Sequence, residues 1–202
     1  TPILTITSSG SLNVGDALTV SISSSVPPGR GGAIVYTIVG SGSATISSTG
    51  VIRAISAGAM TLTVSMMGDS NYSSFSVSQP IIIGKITPTI VIISGNTLNT
   101  ASSLTATITT TATMGRGGAI TYNIVAGSGS ATVNANTGLI TGATIGTVTL
   151  TVTSAGDSDY AAVTAAQLLT ITKGTPTLNI TSANVMNLNA SMTATLSSTA
   201  LV

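Results

Sequence analysis

The 202-residue chain contains no cysteine, histidine or tryptophan, and charged residues make up only 4% of it. Its four acidic residues are all aspartates, so glutamate is missing as well. Histidine and glutamate are the usual general acid–base groups at neutral pH, and cysteine with histidine supplies most transition-metal ligands. We therefore expect no hydrolytic triad, zinc site or glycosidase carboxylate pair, and we predict a non-enzymatic protein without a cofactor.

The charge balance is close to neutral, with five basic residues against four acidic ones and a formal net charge of +1. The basic residues are isolated from one another, whereas a nucleic-acid surface needs a cluster of them. No apolar run approaches the ~20 residues of a membrane-spanning helix. We therefore expect no nucleic-acid partner and no membrane span, and the absence of cysteine leaves sheet packing as the source of stability.

What the chain does contain is one domain-sized segment that occurs twice. The offset between copies is 86 residues at Gly29 and Gly115 and 88 residues at Gly68 and Gly156. Recurrence at this period is typical of an array of domains. The clearest recurring motifs are Gly29–Gly32 with Gly115–Gly118, Gly68–Tyr72 with Gly156–Tyr160, and Thr87-Pro88 with Thr175-Pro176, and the chain itself opens on Thr1-Pro2.

The period predicts two complete repeats, at residues 1–86 and 87–174, and an incomplete third repeat at residues 175–202. The third copy breaks off after its second apolar run, so we expect the chain to be a window on a longer polypeptide. Alone, residues 175–202 would expose apolar side chains and unpaired strand edges. We expect their sheet to be completed by chain beyond Val202 or by a strand from another molecule.

Within each repeat the apolar residues alternate with threonine and serine, as half-buried strands require. Ile34, Tyr36 and Ile38 recur as isoleucine, tyrosine and isoleucine in the second copy, so this face is predicted to be buried. Glycine-rich and serine-rich turn signals separate the runs, and no window shows a helical period. The pattern predicts an all-β fold of antiparallel β-sandwiches, with roughly seven short strands in each repeat.

A series of motifs in each repeat resembles a known family. In the first copy it consists of Tyr36-Thr37-Ile38-Val39, Gly42-Ser43-Ala44-Thr45, Gly50-Val51-Ile52, Thr61-Leu62-Thr63-Val64, Gly68–Tyr72 and Ile83-Gly84-Lys85. With this series the repeat resembles the bacterial immunoglobulin-like (Big-type) domains of giant cell-surface adhesins. The resemblance implies tandem immunoglobulin-like sandwiches arranged end to end. The short linker before Thr87-Pro88 agrees with a stack of limited bending, because proline restricts both positions.

The resemblance further implies an extracellular location on a bacterial cell surface, in attachment or in gliding motility. We expect a structural stalk or filament segment that projects a distal binding region and bears force. Its partners would be neighbouring repeats of the same long chain, with a host or substratum surface or glycans bound through other regions. Two alternatives stay open: the repeats themselves bind glycan or a neighbouring filament, through exposed Tyr72, Tyr160 or Phe75, or the chain belongs to a phage or virion surface protein.

Two motifs provide candidate sites. Asp157 and Asp159 are candidate calcium ligands, because hard cations bind several oxygens, but the same spacing is typical of a turn in which Asp and Asn side chains bond local backbone. In the turn interpretation the following tyrosine packs against the sandwich. Arg30 and Arg116 lie in glycine loops that a strand follows, so we expect no phosphate site there. Because they recur once per repeat, they are candidate contacts to an acidic surface.

Overall fold

Every regular element of the computed structural model, which describes residues 3–199, is a β-strand. The Thr1-Pro2 motif and residues 200–202 of the third repeat lie outside the described residues. The prediction of an all-β fold built from antiparallel sheets is confirmed. Between residues 3 and 199 no helix is long and apolar enough to cross a membrane.

Between residues 3 and 199 twenty strands follow one another, and the second group of nine repeats the lengths of the first. The strands in the first repeat are β1 (Leu4–Ile6), β2 (Ser11–Asn13), β3 (Ala17–Thr19), β4 (Ile22–Ser24), β5 (Ile34–Gly40), β6 (Ser43–Ile46), β7 (Val51–Ser56), β8 (Gly58–Met66) and β9 (Phe75–Gly84). Those in the second are β10 (Ile90–Ile92), β11 (Thr97–Asn99), β12 (Ser103–Thr105), β13 (Ile108–Thr110), β14 (Ile120–Ala126), β15 (Ser130–Val133), β16 (Leu139–Thr144), β17 (Gly146–Ser154) and β18 (Val163–Thr172). The last two are β19 (Leu178–Ile180) and β20 (Leu196–Ser198).

The sheets of the two repeats have the same order. A four-stranded sheet runs β2-β9-β8-β5, a three-stranded sheet runs β3-β7-β6, and β1 pairs with β4; the second repeat reproduces these as β11-β18-β17-β14, β12-β16-β15 and β10-β13. The long β5 and β8 strands pair antiparallel with Tyr36 opposite Val64. One pair in each four-stranded sheet, β2 with β9 and β11 with β18, is parallel. Alternation of side chains carries no information on strand direction, so these parallel pairs were not predicted.

One alternating run of apolar residues in the sequence is divided between two sheets. The apolar positions Leu18, Val20 and Ile22 read as a single alternating run, but β3 joins the three-stranded sheet and β4 pairs with β1. The N–H of Val20 still donates to the carbonyl of Gly50 at 2.9 Å. One residue later, the carbonyl of Ser21 accepts the N–H of Thr7 at 2.8 Å. The chain therefore passes from one sheet to the other at this point without losing its backbone hydrogen bonds.

The core is aliphatic and lies on the inward faces of the paired long strands. Leu62, Val64 and Ile81 are fully buried in the first repeat, and Leu150, Val152 and Leu169 are fully buried in the second. Tyr36, which alternation placed on the buried face, packs against this core and is half-buried. Threonine and serine occupy many of the outward positions, among them Thr37, Ser76 and Ser78, and the branched Cβ of threonine suits extended backbone.

By packing, the chain divides into two compact units. The first contains residues up to 91 together with 109–120 and 153–164. The second contains residues 92–108, 121–152 and 165 onward. The first unit therefore includes both copies of the Gly-Arg-Gly-Gly and Gly-Asp-Ser-Asx-Tyr motifs.

Where the sequence predicts the start of a third repeat, β19 and β20 form a two-stranded ribbon. β19 and β20 pair antiparallel with Leu178 opposite Ser198. The apolar side chains of Leu178, Ile180 and Leu196 are 66%, 73% and 59% exposed. A two-stranded ribbon has too little apolar surface to form a core of its own.

Candidate functional site

The two recurring glycine motifs, far apart in sequence, lie against each other in both repeats. In each repeat the aspartate of Gly-Asp-Ser-Asx-Tyr accepts hydrogen bonds from its own turn and from the Gly-Arg-Gly-Gly loop. We call this arrangement the aspartate clasp. The first clasp consists of Asp69 with residues 29–32 and 68–72, and the second of Asp157 with residues 115–118 and 156–160.

In the first clasp the two carboxylate oxygens of Asp69 serve different segments. Oδ1 accepts hydrogen bonds from the backbone N–H groups of Asn71 at 2.7 Å and Tyr72 at 2.9 Å, which closes the turn. Oδ2 accepts a hydrogen bond from the N–H of Gly31 at 2.7 Å. The N–H of Gly68 donates to the carbonyl of Gly31 at 2.9 Å. One side-chain bond and one backbone bond therefore join the turn to the glycine loop.

The second clasp has the same bonds. Oδ1 of Asp157 accepts from the N–H groups of Asp159 and Tyr160, both at 2.8 Å. Oδ2 accepts from the N–H of Gly117 at 2.9 Å, and the N–H of Gly156 donates to the carbonyl of Gly117 at 2.8 Å. A side chain with two acceptor oxygens is needed for this geometry, which explains why aspartate recurs at this position.

The clasp also requires a close approach of two backbones. Gly118 has a φ of 79°, a conformation that residues with a Cβ rarely adopt, and a Cβ added there would overlap the carbonyl oxygen of Gly156. Gly32 has a φ of 78°, and a Cβ added there would overlap the carbonyl oxygen of Gly68. Gly32 and Gly118 are therefore required by the close approach of the two backbones in each clasp.

Hydrogen bonds from backbone amides hold the pKa of both clasp aspartates below the ordinary value. For Asp157 the largest cause is the N–H of Gly117, followed by that of Asp159, and partial burial opposes them. For Asp69 the N–H of Gly31 is the largest cause of the lowered pKa. N–H donors favour the charged form of a carboxyl group, so both side chains are ionised at neutral pH.

Arg116 extends the second clasp through ion pairs with two carboxylates. Its Nε donates to Oδ2 of Asp157 at 3.2 Å, and its Nη2 donates to Oδ2 of Asp159. The guanidinium carbon lies 5.9 Å from the centroid of the Tyr160 ring, within cation–π range. The hydrogen bond to Asp157, and then that to Asp159, raises the pKa of Arg116. The structure thus directs this candidate surface-contact residue toward its own aspartates.

Arg30 lies in a different electrostatic setting. Asn71 stands in the first clasp where Asp159 stands in the second, so one carboxylate instead of two lies near the arginine. The charge of Arg30 contributes to the lowered pKa of Asp69, after the backbone hydrogen bonds. Among residues 3–199 the ion pairs are those of Arg116, and Arg30 is exposed.

Tyr160 is buried by the second clasp. It is 8% exposed, and its hydroxyl lies 2.9 Å from the Oγ1 of Thr113 and accepts the Thr113 N–H at 3.3 Å. These bonds with Thr113 are the largest causes that lower the pKa of Tyr160. In the first repeat Pro27 stands at the position of Thr113, and proline has no N–H to donate. Tyr72 is half-buried.

The second clasp also holds the segment that joins the two repeats. The N–H of Ile86 donates to the carbonyl of Asp159 at 2.8 Å, and the N–H of Ala161 donates to the carbonyl of Ile86 at 2.8 Å. Nζ of Lys85 donates to the carbonyl of Asp157 at 2.7 Å. All of these residues belong to the first compact unit. The linker is therefore paired as a short parallel bridge and not left free.

Asp159 completes this contact from the other side. Its Oδ1 lies 3.3 Å from the N–H of Ala57, at the turn between β7 and β8. With Arg116 on Oδ2, each oxygen of this buried carboxylate faces a donor. Burial of a charged group is costly unless it is paired in this way. Asp159 thus connects the clasp, the linker and the first repeat.

The structure brings the candidate calcium ligands Asp157 and Asp159 together, but their carboxylates contact the guanidinium of Arg116. The Oδ1 of Asp157 accepts two backbone N–H groups, and the Oδ2 atoms of both residues face Arg116. Within residues 3–199 no group of three histidine, cysteine, aspartate or glutamate side chains is placed to hold a metal ion. The arrangement favours the turn interpretation of this motif.

Sequence reasoning missed a second recurring contact. Nε2 of Gln79 donates to the carbonyl of Ser8 at 3.2 Å, and Nε2 of Gln167 donates to the carbonyl of Ser94 at 3.2 Å. These are the only two glutamines of the chain and they lie 88 residues apart, at corresponding positions of the repeats. Their recurrence was the available signal, because glutamine inside a strand otherwise reads as an outward-facing polar residue.

Comparisons with known proteins give structural likeness only. No protein-family model matches the chain, and no curated protein matches it. A C-terminal fragment of intimin, solved in complex with the translocated intimin receptor intimin-binding domain, is 16% identical, with 89% of this chain and 67% of that chain covered and a TM-score of 0.32.

Two further solved structures have similar values. Fibronectin(III)-like modules of Clostridium thermocellum CbhA are 13% identical, with 85% of this chain and 95% of that chain covered and a TM-score of 0.34. The S-layer protein rSbsC is 13% identical, with 90% of this chain but only 29% of that chain covered and a TM-score of 0.32. Likeness of this degree says nothing about a site.

The role of the clasp can be measured by two substitutions at one position. Asp157→Asn keeps an oxygen for the amides of Asp159 and Tyr160 but turns an NH₂ group toward the N–H of Gly117, while Asp157→Ala removes both acceptors. We expect both variants to melt several degrees below the unaltered chain, with Ala lower than Asn. Equal melting temperatures for all three proteins, by circular dichroism, would contradict the clasp.

A second pair of variants separates backbone conformation from close approach. Gly115 and Gly118 both have positive φ, 76° and 79°, but nothing lies within 4 Å of a Cβ added at Gly115. Gly115→Ala should cost about 1 kcal/mol of unfolding free energy, the conformational penalty alone. Gly118→Ala adds a clash with Gly156 and should cost roughly 1–3 kcal/mol more. Denaturant unfolding measures both, and equal losses would rule out the close approach.

Proposed function

We propose that this chain is a structural stalk or filament segment of a long, repetitive bacterial cell-surface adhesin. Its immunoglobulin-like repeats would occupy residues 1–86, 87–174 and 175–202 and would follow one another in the extracellular space. The segment would project a distal binding region and bear force, with neighbouring repeats as its partners. The paired linker is the observation that carries the proposal: Lys85 and Ile86 are hydrogen-bonded to the second clasp.

A held linker suits a load-bearing chain. Force applied along the polypeptide passes through residues 84–88, and the Ile86 bridge must break before this segment extends freely. The composition agrees, because a chain with 4% charged residues relies on serine, threonine and exposed backbone for hydration, which suits an anchored or polymeric molecule. The same clasp bonds recur in both copies, as repeated modules of an array would show.

Glycan binding by the repeats has less support. A sugar-binding platform needs exposed aromatic rings, and Tyr160, one of the three candidates from the sequence, is 8% exposed with its hydroxyl hydrogen-bonded to Thr113. Tyr72 and Phe75 are half-buried. We therefore favour a mechanical role for the repeats and assign ligand binding to other regions of the parent protein.

Force extension of several copies of residues 1–174 in series tests the proposal. Serial modules should give a sawtooth of similar events, each releasing roughly 300 Å of chain, at 3.3–3.6 Å for each of about 86 residues. Leu169 is fully buried and Leu168 is 60% exposed on the opposite face of β18. Leu169→Ala should shift half of the events to lower force, and Leu168→Ala should not. One cooperative rupture of the whole protein would refute the proposal.

A further inference from the structure

We propose that the turn of the first clasp, residues 69–73, is a docking site for the linker segment of another repeat of this type. The occupant is an extended Gly-Lys-Ile segment like Gly84-Lys85-Ile86. The proposal rests on the proposed function, in that it takes the repeats to be modules of a longer array. It goes further by assigning a binding surface and its partner.

The second clasp shows the site when it is filled. The carbonyl of Asp159 and the N–H of Ala161 both bond to Ile86, as one strand bonds to its neighbour in a parallel pair. The ammonium group of Lys85 is bonded to the carbonyl of Asp157. These contacts use mainly backbone groups and one lysine. The site therefore recognises an extended segment in which a lysine precedes the residue that pairs with the turn.

The first clasp has the same backbone arrangement. Its turn is closed by the N–H groups of Asn71 and Tyr72 on Oδ1 of Asp69, as in the second clasp. The N–H of Asp69 donates to the carbonyl of Tyr72 at 2.8 Å, and the equivalent bond from Asp157 measures 3.0 Å. Because these bonds fix the turn, the carbonyl of Asn71 and the N–H of Ser73 correspond to the two groups that hold Ile86 in the second repeat.

In the first repeat this surface is uncovered. Asp159 and Tyr160 are each 8% exposed, whereas Asn71 and Ser73 are exposed and Tyr72 is half-buried. Among residues 3–199 no hydrogen bond is made by the N–H of Ser73 or by the carbonyl of Asn71. The same turn thus presents one unused donor and one unused acceptor, with the spacing of a strand edge.

The chemistry of the surface fits the linker of a repeat, which is bound mainly through backbone groups. Asn71 replaces the buried Asp159, so the turn offers an amide where the second clasp carries a charge. The side-chain oxygen of Asn71 can still accept a backbone N–H, as Asp159 accepts the N–H of Ala57 at 3.3 Å. The partner is therefore an extended segment whose single charge is a lysine, as in Gly84-Lys85-Ile86, and the second repeat carries a lysine at the same place, Lys173.

Amide hydrogen exchange on a lengthened chain tests the docking site. A copy of residues 1–86 is added before Thr1, so that Ile86 of the copy precedes Thr1-Pro2 as Ile86 precedes Thr87-Pro88 in the chain itself. Exchange at the Ser73 N–H of the original first repeat should slow by roughly tenfold relative to the 202-residue chain, because a new hydrogen bond protects it.

The matched control carries Ile86→Pro in the added copy, which removes the N–H that would donate to Asn71 and should abolish most of the protection. The Ala161 amide, bonded to Ile86 of the original chain, reports in every protein that the second clasp is intact. Unchanged exchange at Ser73 with Ala161 still protected would overturn the docking site.

A peptide covering Ile83–Thr89, added at millimolar concentration to the 202-residue chain, tests the site without relying on the folding of an added copy. Chemical-shift changes should be confined to residues 69–73, and their absence would also overturn the docking site. A sawtooth in force extension without protection at Ser73 refutes this inference alone, whereas a single rupture refutes the proposed function.

Discussion

An ionised carboxylate can accept hydrogen bonds on both oxygens, and the aspartate clasp uses one oxygen for a local turn and the other for a distant loop. The loop precedes β5 and the turn follows β8, so the clasp ties together the segments that flank two adjacent long strands. The N–H of Met67 also donates to the carbonyl of Ala33 at 3.0 Å, which continues the ladder toward the clasp. The sheet thus ends in a fixed backbone arrangement in a chain without disulfides.

The four aspartates of this chain have structural roles. Asp16 accepts the N–H of Asn13 at 2.9 Å and closes a turn, Asp69 and Asp157 form the clasps, and Asp159 faces Arg116 and Ala57. Each aspartate carboxylate therefore accepts hydrogen bonds from the protein itself. The rest of the stability comes from an aliphatic core beneath a polar surface of serine and threonine. In such a chain the position of each aspartate matters more than the net charge.

Alternation predicted the strands and the inward faces, because a period of two follows directly from extended backbone. It did not predict the parallel β2–β9 pair or the passage of Leu18–Ile22 between sheets, since both depend on which strands become neighbours. The turn at Asp157 and Asp159 was foreseen as an alternative to calcium binding. The hydrogen bond from the N–H of Gly117 to Asp157, 40 residues away, was not foreseen, because nothing local connects the two motifs. Only their joint recurrence hinted at the contact.

Backbone amides of two segments hold Asp69 and Asp157 as carboxylates. Carbon-13 carboxyl NMR of the 202-residue chain, titrated with acid, tests this at the atoms concerned. Both residues should titrate below the ordinary aspartate pKa of about 3.9, because the N–H groups of Gly31 and Gly117 stabilise the charged forms of Asp69 and Asp157. Ordinary pKa values for both residues in the folded chain would contradict it.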